Sequence, residues 1–482
     1  MKPSSFLRFS LGAVLLCAPV MVNAANSESS SAKDSIFAET KPDASSSKSE
    51  EEEKFSIVPH GFAGIQSFRV HRYKNNGDEF KSQIFNNSVL NYTFDILSGN
   101  HLSIHAGIEG YVSFSTLPYD KLGTVGSGRN EQALPLWSWY MAEAEMAYTF
   151  GDPQGTFHGD VGIGVFPYKY NEEARNLGEY LFRSGTYPGW LLGTFDWTAT
   201  RLTGARLGTT LFGNWKNDLM LTTEMEWFPF YDLSLSWVSA LPVGKILNIG
   251  GGVVLSRFLP ANDDLTTPKI TQNTGDKILT NYYLKNGDTT FYTFTGVKAM
   301  GHATLDPKGF FNWNPSHRIF TLGKEDGKLF AEVAVLGVKN QGPIYDDVLQ
   351  RMPVMFGFNF PTFNLLDVLT FQWEYYASPY PNDYANQIRF VSAGVPQPTK
   401  GSMGTGGNSK YLVSDTANFF TKDNWKWSVY ARYWMGKHLA IVGQVARDHW
   451  RTSTPYANRR DTEEALSDQK HWYAALKIVS VW

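Results

Sequence analysis

From Phe55 onward, apolar and polar residues alternate along the chain with a period of two. Because successive side chains of a β-strand point to opposite faces, this alternation predicts strands with one apolar and one polar side. In residues 101–115 the apolar face carries Leu102, Ile104, Ala106, Ile108, Val112 and Phe114, and the polar face carries His101, Ser103, His105, Glu109, Ser113 and Ser115. The alternating residues 90–96 precede this segment after only a short Ser-Gly-Asn connection, which indicates a β-hairpin.

The same alternation recurs in many further segments of the chain. It is found in residues 140–148, 161–165, 205–211, 219–227, 369–375 and 427–433. In the first of these, the predicted apolar face is Tyr140, Ala142, Ala144, Met146 and Tyr148, opposite Glu143 and Glu145. The sequence therefore predicts an all-β fold. Period-two alternation also occurs in soluble β-sandwiches, so it does not by itself identify a membrane protein.

The connections between the predicted strands alternate between short and long. Short connections are predicted at 98–100, 151–155, 214–218 and 435–437, and long ones at about 116–136, 169–198, 259–289 and 379–424. Compact soluble domains rarely contain several structureless loops of this length, whereas outer-membrane barrels have short periplasmic turns and long external loops. The loop pattern therefore favours a barrel.

The N-terminus is typical of a secretory signal. Lys2 and Arg8 precede the largely apolar residues 9–22, and small residues place the expected cleavage after Ala24. The chain has one cysteine, Cys17, which would leave with this signal peptide; a lipoprotein anchored through Cys17 is an alternative that the bulky Leu16 disfavours. Residues 25–54 are Ser-rich and acidic, which predicts a disordered periplasmic linker, either a solvated spacer or a tether.

Residues 55–482 are therefore expected to form a transmembrane antiparallel β-barrel. Charged residues make up only 18% of the chain and aromatic residues 15%, as suits lipid-facing strands with interfacial aromatic girdles. Spacing predicts about sixteen strands, with 14 and 18 also possible. The formal net charge of −3 gives no sign of nucleic-acid binding.

The chain ends on an alternating segment that closes with an aromatic residue. Leu476, Ile478 and Ser480 share a face with the terminal Trp482. This end resembles the C-terminal assembly signal of outer-membrane proteins, with Ser480 standing where an apolar residue is usual. Residues 55–482 as a whole resemble Gram-negative porin-like proteins of a poorly characterised family. The resemblance implies location in the cell outer membrane and contact with its lipid and with the barrel-assembly machinery. It also implies passive diffusion of small hydrophilic solutes, without catalysis or a cofactor.

Charged residues on the polar faces are the candidates for lining a pore. They are Glu109, Glu143, Glu145, Arg206, Glu224, Glu226, Glu332, Glu374 and Arg432. Arg206 and the two acids Glu224 and Glu226 lie on adjacent predicted strands and could form opposed charges, as in selective channels. The alternative is that these residues are ordinary interior charges that hold the wall together.

The loop at 169–198 contains a short, charged, helix-like stretch. Arg175, Glu179 and Arg183 recur at four-residue spacing, so on a helix they would share one face. We expect this loop to fold inward and narrow the channel, with an external loop packed on its neighbours as the alternative.

Two further functional classes remain open. The loop at 379–424 carries several aromatic residues, so a surface-binding or structural barrel is the second candidate, with attachment to polysaccharide as one form of it. A lipid-acting enzyme is the third, although the chain shows no His-Glu-x-x-His zinc motif or phosphate-binding loop. No metal site is expected, and the sequence predicts no particular oligomeric state.

Overall fold

A computed structural model describes most of the chain from Phe55 to Trp482. The described residues are 55–75, 78–99, 101–115, 136–153, 155–183, 200–223, 231–259, 261, 282–285, 288–291, 296–311, 322–338, 348–376, 424–450, 466 and 468–482. The expected signal peptide and linker, residues 1–54, lie outside them, as does nearly all of the loop at 379–424.

Strands make up nearly all of the regular structure in these residues. In chain order they are β1 (Phe55–Asn75), β2 (Asp78–Ser98), β3 (Leu102–Ser115), β4 (Leu136–Gly151), β5 (Phe157–Tyr168), β6 (Thr200–Leu211), β7 (Trp215–Thr223), β8 (Leu233–Val243), β9 (Leu247–Leu259), β10 (Tyr282–Lys285), β11 (Asp288–Phe291), β12 (Gly296–Leu305), β13 (Leu329–Val335), β14 (Val354–Asn359), β15 (Val368–Tyr375), β16 (Trp425–Met435), β17 (Leu439–Arg447) and β18 (Tyr473–Val481). One helical turn, α1 (Tyr180–Arg183), follows β5, and 3-10 turns lie at Pro307–Phe311 and Val348–Arg351.

Sixteen of the described strands close into one antiparallel barrel, which confirms the predicted fold and strand number. Each strand pairs with its neighbour along the chain, and β1 pairs with β18 from Phe62↔Val481 to Val70↔Tyr473 to complete the circle. Closure leaves no strand edge with unpaired backbone groups, which is the condition for placing a sheet in hydrocarbon. The remaining strands, β10 and β11, form a separate hairpin between β9 and β12, where a long loop is predicted at 259–289.

The apolar faces of the strands point out of the barrel. In β2, Leu90, Tyr92 and Phe94 are exposed, whereas the intervening Asn91 and Thr93 are buried in the interior. A soluble β-sandwich would show the opposite, with apolar residues buried and polar residues exposed. The alternation in the sequence therefore describes an apolar exterior and a polar interior.

The face predicted for residues 140–148 is wrong at its first half. Ala142 is buried, while Trp139 and Met141 are exposed together with Met146 and Tyr148. The pairing of β3 with β4 shifts between Gly107 and Ile108, so one residue of β4 is skipped and the two halves of that strand are out of phase. Such a β-bulge inserts one residue into a strand, and a strictly periodic prediction cannot anticipate it.

The connections alternate between the two ends of the barrel, and one short turn lies at a different position from the one predicted. The turn expected at 214–218 spans 212–214, where Gly213 has a positive φ of 80° and Asn214 N–H donates to Leu211 O at 3.2 Å. The connection from β12 to β13 lies at the same end of the barrel as the short turns, and it covers residues 306–328. No helix among the described residues has the length and apolarity required to cross a membrane.

Candidate functional site: the interior of the barrel

The segment after β5, residues 169–183, folds into the barrel and crosses it. This inner segment leaves the wall at Tyr168 and contacts β13 and β15, which lie six and eight strands away around the sheet. The contacted strand β15 is therefore opposite β5 in a barrel of sixteen strands.

Glu332 on β13 is the main polar anchor of the inner segment. Its carboxylate accepts hydrogen bonds from the Tyr180 amide at 2.8 Å and the Glu179 amide at 3.0 Å. It also accepts from the Tyr170 hydroxyl at 2.7 Å and the Asn171 side-chain amide at 2.8 Å. Because Glu332 is 1% exposed, these four donors replace the water that the charge has lost.

A second set of contacts fixes the segment to β15. Gln372 accepts from the backbone amides of Asn176 at 2.8 Å and Leu177 at 3.1 Å. The Tyr180 hydroxyl donates to Glu374 Oε2 at 2.8 Å, and the other oxygen of Glu374 lies 2.6 Å from His449 Nε2. The inner segment is thus held by side chains from several separate strands.

Apolar packing fills the barrel on one side of the segment. Leu177, Tyr180 and Leu181 are about 1% exposed or less and pack against inward residues of the wall. Those wall residues are Phe166, Met220, Val238, Val254, Met300, Phe330, Ala334 and Met355, on β5, β7 to β9 and β12 to β14. We call this group the apolar cluster.

An ion-pair network joins the inner segment to the connection at 306–328. Lys328 Nζ lies 2.8 Å from carboxylate oxygens of both Glu173 and Glu325, and Arg175 lies 3.6 Å from Glu325. Burial raises the pKa of the Glu325 carboxyl, but Lys328 and Arg175 outweigh it and hold that pKa at about 2. Glu325 is therefore charged at neutral pH.

The predicted helical face of Arg175, Glu179 and Arg183 does not form. Gly178 and Glu179 both have positive φ, 93° and 62°, and the helix of residues 169–183 is limited to the single turn from Tyr180. Instead of sharing a face with Arg175, Glu179 accepts hydrogen bonds from the backbone amides of Tyr170 and Asn171. The side chain of Arg183 lies outside the described part of the structure.

The wall facing the inner segment, formed by β2 to β7, carries paired charges. Glu109 is fully buried and lies 3.2 Å from Arg201. Arg206 donates to Glu145 and pairs with Asp160 at 2.7 Å. The predicted partners of Arg206, Glu224 and Glu226, lie outside the described residues.

Near the short-turn end, the same wall carries a histidine–carboxylate cluster. His105 Nδ1 lies 2.6 Å from Asp95 and 3.7 Å from Glu143. His60 lies 3.5 Å from the other oxygen of Asp95. No group of three or more such side chains has metal-binding geometry within the described ranges.

The remaining predicted interior residue, Arg432 on β16, is 2% exposed and faces inward. Sequence reasoning missed Gln372, His449 and Asp448, the last of which accepts from Asn176 Nδ2 at 2.7 Å. The alternation of β15 predicts that Gln372 faces inward. It does not predict the hydrogen-bond partner of Gln372, which is almost two hundred residues earlier in the chain.

Two solved porin structures show similarity to the chain. A mutant porin of Rh. blastica has 8% sequence identity and a TM-score of 0.38, with 89% of this chain and 100% of that chain covered. The OmpF of Salmonella typhi, in complex with daunomycin, has 10% identity and a TM-score of 0.43, with 89% and 98% covered. No protein-family model matches the chain, and no curated protein does. Similarity at this level carries no functional argument, so the function is inferred from the geometry of the barrel itself.

Proposed function

We propose that this protein is an outer-membrane channel through which small hydrophilic solutes diffuse passively. The observation that carries the proposal is the closed barrel with apolar side chains outside and charged, hydrogen-bonding side chains inside. Acyl chains suit such an exterior, and a wet lumen suits such an interior. A barrel of about sixteen strands is wide enough to enclose an aqueous channel.

Orphaned polar groups in the interior support a hydrated lumen. Gln66 and Thr200 are at most 7% exposed, and their side-chain polar atoms have no hydrogen-bond partner among the described residues. Burying such a group without a partner costs about 1–3 kcal/mol. Water in the lumen would satisfy these groups, as it does at many buried polar sites.

We further propose that the inner segment narrows the passage. It crosses from β5 to β15 and is packed on one side against the apolar cluster, so solute is confined to the other side. Arg175 and Glu179 act here as anchors of the segment, through Glu325 and through the Tyr170 and Asn171 amides.

The outer membrane is the proposed location, and the C-terminal strand is the proposed contact for the barrel-assembly machinery. Trp482 directly follows β18 at the exterior, where its ring lies 6.4 Å from that of Tyr92. Its backbone N–H and C=O exchange hydrogen bonds with Gly61 at 3.1 Å, so the terminal residue takes part in closing the barrel.

Liposome swelling with sugars of graded size tests the channel. The purified barrel should admit small sugars and exclude larger ones, and deletion of residues 172–185 should raise the size limit and the single-channel conductance. Heat-modifiable gel mobility should be retained in the deletion variant as a control for folding. Proteoliposomes that contain folded barrel yet do not swell with any sugar would contradict the proposal.

A further inference from the structure

The interior of the barrel has one filled half and one polar half. Apart from Phe166 on β5, the apolar cluster occupies the lumen beside β7 to β9 and β12 to β14, so no hydrophilic route runs there. A second packed group lies inside β1, β2, β17 and β18, where the rings of Phe68, Phe85 and Trp450 have centroids 5.0–5.3 Å apart.

The space left by these two groups borders the wall from β2 to β7. Among its described inward residues, six carboxylates face three cationic side chains and two histidines. The carboxylates are Asp95, Glu109, Glu143, Glu145, Asp160 and Asp218, the cations are Arg201, Arg206 and Lys216, and the histidines are His105 and His158. The wall therefore carries an excess of negative charge.

The cations on the other elements do not cancel this excess. Arg175 and Lys328 are paired with Glu325 and Glu173, and Lys298 donates to the Leu181 carbonyl at 3.4 Å. Of the remaining inward cations, Lys426 and Arg447 donate to backbone carbonyls, of Leu466 and of Asp468 and Trp425. Arg432 and Lys477, on β16 and β18, are also buried and have contacts of their own.

Unpartnered polar side chains lie next to this wall and on it. Gln66 on β1 is fully buried, and neither atom of its amide has a hydrogen-bond partner among the described residues. Thr200, at the start of β6, is 7% exposed, and its hydroxyl likewise has none. Both face the interior, so this half of the barrel offers hydrogen bonds to a hydrophilic occupant.

We propose that the passage runs between the inner segment and the wall of β2 to β7, and that its carboxylates make the channel selective for cationic solutes. The inference rests on the proposed channel function. Rings or ladders of carboxylates favour cations because they lower the energy of a cation in the pore and raise that of an anion. Neutral solutes of the same size pass without this preference.

Planar-bilayer recordings in a KCl gradient at pH 8 test the selectivity. The permeability ratio of K⁺ to Cl⁻ should exceed one and should fall in the double variant Asp95→Asn/Asp218→Asn. The matched control is Asp152→Asn, which removes one carboxylate from the exposed turn after β4 and should leave the ratio unchanged. A conducting barrel that prefers Cl⁻, or whose ratio does not change in the double variant, would overturn the assignment.

Thiol labelling locates the passage independently of charge. In a Cys17→Ser background the chain has no other cysteine, so single-cysteine variants report one position each. A small cationic thiol reagent should block conductance through Ser103→Cys, on the wall, and leave Met300→Cys, in the apolar cluster, conducting. Block at Met300→Cys alone would overturn the placement. A barrel that inserts without conducting at all would instead contradict the channel function itself, so the two failures are distinguishable.

Discussion

Replacing Glu332 by Gln should release the inner segment from the far wall. The carboxylate accepts two donors on each oxygen, and the substituted side-chain amide would keep one acceptor oxygen and turn an NH₂ group toward two of the donors. An unsatisfied buried donor costs about 1–3 kcal/mol. Because the losses of neighbouring hydrogen bonds are not additive, we expect docking of the inner segment to be weaker by about 3 kcal/mol.

Hydrogen exchange in detergent measures this change directly. A loss of about 3 kcal/mol corresponds to roughly a hundredfold faster exchange for amides protected by docking, including those of Glu179 and Tyr180. The barrel strands should keep their protection, since their backbone ladder is unchanged. Single-channel recordings should show larger and noisier conductance in the same variant.

The matched control is Glu143→Gln, which makes the same substitution on the β2 to β7 wall, where the nearest charged partner is His105. Its inner segment should exchange as in the parent protein. Parent-like exchange in Glu332→Gln, or equal acceleration in both variants, would refute the anchoring role.

Three further experiments test other parts of this structure: the backbone at Gly178, the ion pairs of Glu325 and the lipid-facing side at Ile163. Gly178→Ala should loosen the inner segment by about 1–2 kcal/mol, because φ is +93° there and a Cβ would lie 2.8 Å from the Met355 methyl; parent-like exchange would contradict this. Glu325 has a pKa of about 2, below its ordinary value, so its ion pairs stabilise docking above pH ~4.5 and are lost as pH falls through about 2. Conductance noise of the parent protein should therefore rise as pH falls from 5 to 2, and Glu325→Gln should show that noise already at pH 5. Parent conductance noise that does not change with pH would count against this role of Glu325. Ile163→Arg on the lipid-facing side should destabilise the barrel by about 2–4 kcal/mol in urea titrations in liposomes, and unchanged stability would mean that this side does not meet lipid.

The outline of the barrel could be predicted because it follows from local periodicity. The faces predicted for residues 90–95 of β2 and 102–109 of β3 were correct since each depends on the neighbouring residues of one strand. The inward positions of Glu109 and Glu374 follow from the same parity. The bulge opposite Gly107 reversed half of β4 because one skipped residue has no periodic signature.

The interior contacts could not be predicted, because they join residues far apart in the chain. Glu332 meets the Tyr180 amide about 150 residues away, and Gln372 meets the Leu177 amide at a separation of 195. The four-residue spacing from Arg175 suggested a helix, but the positive φ values at Gly178 and Glu179 prevent it. Those backbone angles allow the amides of Glu179 and Tyr180 to reach the Glu332 carboxylate, so tertiary hydrogen bonding overrides the local pattern.

Site-directed spin labelling along β2, in protein reconstituted into lipid vesicles, tests the membrane-barrel account most directly. Labels at Leu90, Tyr92 and Phe94 should be relaxed strongly by oxygen dissolved in the bilayer, and labels at Asn91, Thr93 and Asp95 should not, giving a period of two. Uniform accessibility along the strand, or strong relaxation by a water-soluble nickel reagent at the three apolar positions, would contradict the account.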